Sequence, residues 1–517
     1  MDFYALVFFV VVFYIALLFF DVLFKSCSHY PYLAFMKMTG LSVGPFQLRW
    51  YTTSLNRLIL KMSFWHPRIQ SDWFTFGSWI TICLIVPSMC MVIVSSAQLF
   101  KLIFTEATSN GQSANQPDTF LEPIVPGINL PMADFSYYIL ALMFSTVFHE
   151  LGHALAAIRC SIFFFKYKFP LICLFNFYRE DMHIDGVGLM LILILPVAYV
   201  HLEDITSLPS SKQLRIMSAG VWHNIVQAFI AYLVLWLLPY TLFPFFTIGH
   251  GVMTTQINPR SGINDQGGLV TGDVITKLGN CDVRDFGSWI ACLNHTMARI
   301  DSGFCLSPEF VQHHDETKPV HYVDDYIINC CDPNSKTNLC FEYIESLSNP
   351  QELPSHSCLN VRKVIERSTS FCDADNQCVS AHCYYPAIHK NHKLVVIKRK
   401  KKNEVLFLGR PIELQYLSVT QYIPKTEYLS SNIPDSIEKF CKYLIMFAGG
   451  LAIINVIPCF YFDGEKISRV LVNTMLKDHV EHLSVRLAIS ICLTIFGSSM
   501  LIIYTILSFW SILRVIN

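Results

Sequence analysis

Two histidines and a glutamate sit in the middle of a stretch that is otherwise apolar enough for a lipid bilayer, Tyr137 to Ile158. Residues four apart share one face of a helix, so His149 and His153 point the same way, with Glu150 beside them. This is the H-E-x-x-H arrangement, in which two imidazoles hold Zn²⁺ and the carboxylate takes a proton from the water on the metal. The motif is short and recurs by chance in soluble helices. At membrane depth the bland reading weakens, because an ionisable side chain there costs about 2.5–3.5 kcal/mol and needs a partner or a cavity. Three such residues within five positions ask for one common cause, and a metal supplies it. Gly152 and the small residues Ala154, Ala156 and Ala157 let a second helix approach closely.

A catalytic zinc usually takes three protein ligands and keeps one position open. Asp463 is the expected third ligand. It follows the apolar segment Tyr443 to Pro458, which Pro458 breaks, and counting from the lumenal ends of their segments puts His149, His153 and Asp463 all toward the cytosolic side. The competing reading of Asp463 is a turn residue before Gly464. Asn224 lies about two turns inside the span Met217 to Phe246, beside His223, at the depth expected of the metal. It is read either as a hydrogen-bond donor to the scissile carbonyl or oxyanion, or as an interhelical polar contact.

The elements that must position these residues follow from the distribution of apolar blocks. The chain has 517 residues, 53% hydrophobic and only 15% charged, which indicates a polytopic membrane protein that is mainly α-helical. A net charge of −1 gives no reason to expect direct contact with nucleic acid. Phe3 to Phe20 reads as a retained anchor rather than a signal peptide. The segment Asp21 to Asp72 is rich in Lys and Arg and is expected in the cytosol. A second span follows within Phe74 to Phe104, and the Ser/Asn/Gln/Pro-rich loop 105–131 is expected in the lumen. Arg159, Lys166, Lys168 and Arg179 mark a cytosolic exit from the H-E-x-x-H helix. Ile184 to Pro196 is apolar but short, and it reads as a span, a re-entrant segment or a buried strand pair. Glu465 to Lys477 reads as interfacial, and Val485 to Trp510 as a final span. The expected divisions are 1–72, 73–136, 137–248, 249–440 and 441–517.

Residues 249–440 read as a large extramembrane insert. Alternating apolar residues broken by turn glycines predict a small β-rich domain that starts near Gly251 to Val283. Leu394 to Ile397 and Val405 to Leu408 predict a hairpin, with the basic run Lys398 to Lys402 as a solvated turn between its strands. Of the 18 cysteines, ten fall between Cys281 and Cys383, in what reads as an insertion between the two halves of that domain. Without C-x-x-C pairs, disulfides in an oxidising lumen are expected rather than a zinc module. Asn294-His-Thr296 is a glycosylation sequon in the same region.

Three motifs in order, His149-Glu150-Leu-Gly-His153, Ala219-Gly-Val-Trp-His-Asn224 and Asn455-x-x-Pro458-x-x-x-x-Asp463-Gly464, resemble those of the site-2 protease family of intramembrane metalloproteases. The resemblance covers nearly the whole chain. It implies one Zn²⁺ per chain held by His149, His153 and Asp463, with Glu150 and Asn224 catalytic and Asn455, Pro458 and Gly464 in support. It also implies a PDZ-like domain between the catalytic halves, carrying the Cys-rich insertion. The implied partners are the lipid bilayer and the transmembrane helix of single-pass, membrane-bound transcription factors already cut once in the lumen. The implied location is the membrane of the Golgi or endoplasmic reticulum. Two other readings use the same ligands: a metal transporter or receptor, which leaves Glu150 unexplained, and an inactive scaffold that binds membrane helices.

Overall fold

The structure, a computed structural model, describes residues 3–516 apart from 64–65, 106–129, 166–183, 203–204, 258–267, 299–302, 320, 325–326, 333, 336, 344–354, 369, 373–377, 379–380, 390–391 and 427. The expected polar loop 105–131 and the cations Lys166, Lys168 and Arg179 therefore fall largely outside the described residues. Two compact units are present: Met1–Leu237 with Ile437–Asn517, and Leu238–Ser436.

The first unit is mainly helical. It contains α1 (Phe3–Ser26), α2 (Tyr30–Thr39), α3 (Asn56–Ser63), α4 (Pro67–Thr105), α5 (Phe135–Phe165), most of α6 (Ser210–Leu242), most of α10 (Asn432–Val456), α11 (Asp463–Met475) and α12 (Leu483–Ile516). Among the described residues, five helical segments are long and apolar enough to cross a membrane: Phe8–Ser26, Arg68–Ile103, Met132–Ile158, Ser210–Leu242 and Leu483–Leu513. Helix α10 is not one of them. Its first half carries Asp435, Glu438, Lys439 and Lys442, which leaves an apolar stretch from Tyr443 to Val456, about 20 Å at 1.5 Å per residue. It stops at Val456 because Pro458 disfavours helical backbone just before it.

Ile184 to Pro196 takes the third of its three readings. Strands β1 (Leu41–Gly44), β2 (Gln47–Thr52), β3 (Ile184–Ile192) and β4 (Leu195–Leu202) form one antiparallel sheet in that order. The register sets Gln47 opposite Ile192 and Ile192 opposite Leu195, so the tips of both hairpins coincide. Tyr14, buried in the middle of α1, donates its hydroxyl proton toward Leu193 O (2.9 Å) and Leu191 O (3.2 Å) at that tip. Gly40 ends α2 at φ 70°, where a side chain would collide with Tyr51 O. It turns the chain directly into β1.

Packing at the C-terminal half of α5 uses its smallest residues. Ala154, Ala156 and Ala157 are fully buried against Ile59 of α3, Phe74 of α4 and Ile216 and Ala219 of α6, with Val187 and Val200 of the sheet packed on the same cluster. At the other end, Tyr138 and Ala141 pack on Tyr443 of α10, and Asp134 accepts from Lys439 Nζ (2.9 Å) and Tyr443 Oη (3.1 Å). Helix α6 meets α10 through Val221, Ala452 and Val456.

The second unit carries the β-rich insert. Its strands are β5 (Phe246–Thr247), β6 (Val252–Gln256), β7 (Val274–Leu278), β8 (Cys281–Asp282), β9 (Gly303–Leu306), β10 (His321–Asp324), β11 (Ile327–Asn329), β12 (Asn338–Tyr343), β13 (Ser355–Asn360), β14 (Phe371–Cys372), β15 (His382–Pro386), β16 (Lys393–Arg399), β17 (Lys402–Gly409), β18 (Ser418–Thr420) and β19 (Ile423–Pro424). One sheet has the order β17-β16-β7-β6-β18, with β8 on β7, and packs α7 (Phe286–Ala298) through Trp289 and Leu293. Gly251 to Val283 is thus only half of this domain; its sheet is completed by the expected hairpin at 393–409. A second sheet, β13-β12-β15-β9-β14, lies between those halves in sequence and packs α8 (Pro308–His314) and α9 (Val361–Arg367).

All ten cysteines from Cys281 to Cys383 are oxidised, as Cys281–Cys292, Cys305–Cys378, Cys330–Cys340, Cys331–Cys358 and Cys372–Cys383. The basic run corrects one expectation. Lys400 and Lys401 are exposed, but Arg399 turns inward to the fully buried Asp273 carboxylate (2.7 Å), which Lys402 also meets at 2.6 Å. Burial pushes the Asp273 carboxyl up; the hydrogen bonds from Lys402 and Arg399 outweigh it and hold the group below the ordinary carboxylate range. A fully buried carboxylate needs such partners, and a solvated turn would leave it without them.

Candidate metal centre

Helix α5 presents His149 and His153 one turn apart, both about nine-tenths buried. Helix α6 runs antiparallel to it, which the contacts fix: His153 meets Ile216, while His149 meets Gly220 and Asn224. Gly152 makes this approach possible, since a Cβ there would lie 2.6 Å from Ala219 O and from His223 Nδ1. The third element is the break after α10, which delivers Asp463 as the first residue of α11.

These elements bring His149 Nε2, His153 Nε2 and Asp463 Oδ2 into a triangle with sides of 3.0, 3.1 and 3.1 Å. They form one of the groups of potential metal donors among the described residues; the other, Cys305, Cys372 and Cys378, is already committed to disulfides. Tetrahedral zinc with ligands at about 2.0–2.1 Å sets its donor atoms about 3.3 Å apart, close to this triangle. The second ring nitrogens fit the same purpose. His153 Nδ1 donates to Ile216 O at 2.7 Å, which leaves its Nε2 for a metal; His149 Nδ1 lies 3.1 Å from Asn224 Nδ2, and turning that amide over would set Oδ1 there to accept from Nδ1–H and free Nε2 in the same way. The donor set, its spacing and its outer contacts all suit Zn²⁺.

Glu150 points to the sheet. Its Oε2 accepts from Val200 N–H of β4 at 3.1 Å. Strand β4 is the sheet's edge, so this N–H is turned outward from β3. Asn224 is fully buried and reaches the centre through His149. Gly464 belongs to the break: a Cβ there would collide with Ile457 O and lie 2.7 Å from Val456 O. Pro458 is buried beside it, and a side chain at Gly497 of α12 would collide with its carbonyl oxygen. Asn455 is half-buried near the end of α10 and makes no side-chain hydrogen bond among the described residues.

Sequence reasoning missed two members of the site. Gly220 lies under the triangle, where a Cβ would collide with His153 Nε2 and sit 2.5 Å from His149 Nε2. Its signal was present in the Ala219 to Asn224 motif, one turn before Asn224. Val200 had no signal beyond its place in an apolar strand.

A centre of two imidazoles and a carboxylate, with an adjacent glutamate, set among helices of membrane length, defines an H-E-x-x-H metallopeptidase embedded in a membrane. Residues 137–495 match peptidase family M50. That is more than half of the chain, which belongs to this family, the site-2 protease family its three motifs resemble. It is also 25% identical over 240 residues to the membrane-bound transcription factor site-2 protease homolog of Arabidopsis thaliana. That alignment takes in 46% of this chain and 40% of the plant protein, so the chain matches less than half the length of this relative.

Proposed function

We propose that the protein is a zinc-dependent intramembrane endopeptidase that cuts the transmembrane helix of single-pass, membrane-bound transcription factors after a first lumenal cut. The observation that carries this reading is the donor triangle of His149, His153 and Asp463 with Glu150 beside it. Bound there, Zn²⁺ supplies Lewis acidity to the peptide carbonyl and to the attacking water. Glu150 accepts the water proton and returns it to the leaving amine. Asn224 orients His149; in the tautomer that keeps Nε2 for a metal, His149 Nδ1 carries the proton, and the amide is turned over so that Oδ1, otherwise buried without a partner, accepts it in place of Nδ2. The amide's NH₂ end then remains for the oxyanion.

A transmembrane helix shields its peptide bonds inside its own hydrogen-bond ladder, so the substrate must unwind to be cut. The edge of β4, which no other strand pairs among the described residues, offers partners to an unwound strand, and the same edge leads to Glu150 through Val200. Tyr14 lies twelve residues from the end of α1, about 18 Å along the helix. If α1 spans the bilayer, the tip of the sheet that Tyr14 holds lies near the midplane, where a substrate helix would pass.

The second unit is read as a lumenal PDZ-like domain with a disulfide-bonded insertion, glycosylated at Asn294, in the Golgi or endoplasmic reticulum membrane. It does no chemistry and filters precursors by size. The disulfides and the exposed sequon on α7 support that placement. Purified protein in lipid nanodiscs should cleave a single-span transcription-factor fragment that lacks its lumenal domain, and a zinc chelator should stop it. Failure to cleave any such fragment while zinc is bound would overturn the proposal.

A further inference from the structure

We infer that Tyr461 is a substrate-contacting residue that selects the side chain flanking the scissile bond; this rests on the endopeptidase reading above. Tyr461 is one of only six non-glycine residues among those described with a positive φ, at 72°. A bulky residue is costly in this region of backbone space and persists where the surroundings force it. Here they do. Phe460 N–H donates to Ser498 Oγ (3.1 Å), Tyr461 N–H to Glu465 Oε2 (3.3 Å) and Phe462 N–H to Cys459 O (3.2 Å). Glu465 is itself fixed by Arg469 at 2.6 Å. Ile457 and Cys459 are buried on the near side of the turn, and Gly464 on the far side.

This pinned turn nevertheless leaves the Tyr461 ring wholly exposed, at 102% relative exposure. Among the described residues nothing packs on the ring, so packing there does not explain the strained backbone that holds it out. Its position does. Tyr461 stands two positions before Asp463, with the two Cα atoms no more than about 7 Å apart, so the ring projects from the turn that delivers a member of the donor triangle. A large, rigid ring on that turn would take up space next to the bond to be cut. It should therefore favour small substrate side chains there and disfavour large ones.

The test uses full-length protein in nanodiscs and a set of single-span substrates. Mass spectrometry first maps the bond cut by the unaltered protein; Ala, Leu and Phe are then placed at each flanking position. Tyr461→Ala should raise kcat/KM for the Leu and Phe substrates relative to the Ala substrate by about tenfold or more. Tyr461→Phe should keep the original ratio. Zinc content should stay at one per chain in both, and Tyr461→Gly, which suits the left-handed backbone, should keep or raise Tm. An unchanged substrate ratio in Tyr461→Ala overturns the inference and leaves the ring as a lipid-facing anchor. Loss of zinc in Tyr461→Ala also overturns it, since the ring would then be supporting Asp463. No cleavage by the unaltered protein would overturn the endopeptidase reading and this inference together.

Discussion

Gly220→Ala should empty the metal centre without touching a ligand. A methyl group at Gly220 would collide with His153 Nε2 and stand 2.5 Å from His149 Nε2, about an ångström inside normal contact. Neither ring can step back freely. His153 is held at Nδ1 by Ile216 O (2.7 Å) and His149 by the Asn224 amide (3.1 Å). The backbone cannot yield either, since α5 and α6 already touch at Gly152 and Ala219. One of the two outer hydrogen bonds must break, at about 1 kcal/mol, and the released ring loses its alignment. Disturbing such outer contacts typically lowers metal affinity about 10–100-fold, and direct steric occupation of the site should reach at least the upper end. Titration of purified protein against a competing zinc chelator reads this directly, with circular dichroism as a control for folding. Native zinc affinity and full cleavage in Gly220→Ala would show that the triangle between Nε2, Nε2 and Oδ2 is not where the metal sits.

Other expectations follow from the same contacts. Asn224→Ala frees His149 Nδ1, so zinc affinity should fall about 10–100-fold, and cleavage should stay low even at saturating zinc if the amide also serves the oxyanion; full recovery of cleavage at saturating zinc would contradict the second role. Asp273→Asn leaves Arg399 and Lys402 facing a neutral group, costing about 3 kcal/mol, seen as faster hydrogen exchange along β7. Because the folded carboxyl lies below its unfolded value of about 3.9, its contribution is complete above that pH and disappears as pH falls below it; the wild-type β7 should loosen only in acid, and the variant should lack that acid limb. Endoglycosidase should shift the mobility of the full chain, and Asn294→Gln should abolish the shift. In sealed membranes without reductant, maleimide applied from the cytosolic side should not label cysteines between Cys281 and Cys383; labelling would refute a lumenal second unit.

The members of the donor triangle were legible in the sequence because each carries its own signal. His149 and His153 share a helical spacing, and Asp463 follows a proline in an apolar run, which is costly without a reason. What the sequence hides is how distant segments meet. Strands β2 and β3 pair across more than a hundred residues, and nothing in Gln47 to Thr52 names Ile184 to Ile192 as its partner. The bond from Val200 to Glu150 depends on that pairing, and the role of Gly220 depends on the antiparallel register of α5 and α6. Ten cysteines spaced without C-x-x-C pairs point to disulfides, but their connectivity needs the fold: the second sheet sets Cys340 opposite Cys358 and Cys305 opposite Cys383, yet these four bond Cys330, Cys331, Cys378 and Cys372 respectively. Arg399 looked like part of a solvated basic turn because its partner Asp273 lies 126 positions away.

Metal analysis and cleavage by two matched variants test the central claim most directly. Glu150→Gln should keep one zinc per chain and lose cleavage of a single-span substrate, because the proton acceptor is gone and the ligands remain. Asp463→Asn should lose both zinc affinity and cleavage. Full zinc affinity in Asp463→Asn would remove Asp463 from the metal, and cleavage retained by Glu150→Gln would contradict a metallopeptidase mechanism altogether.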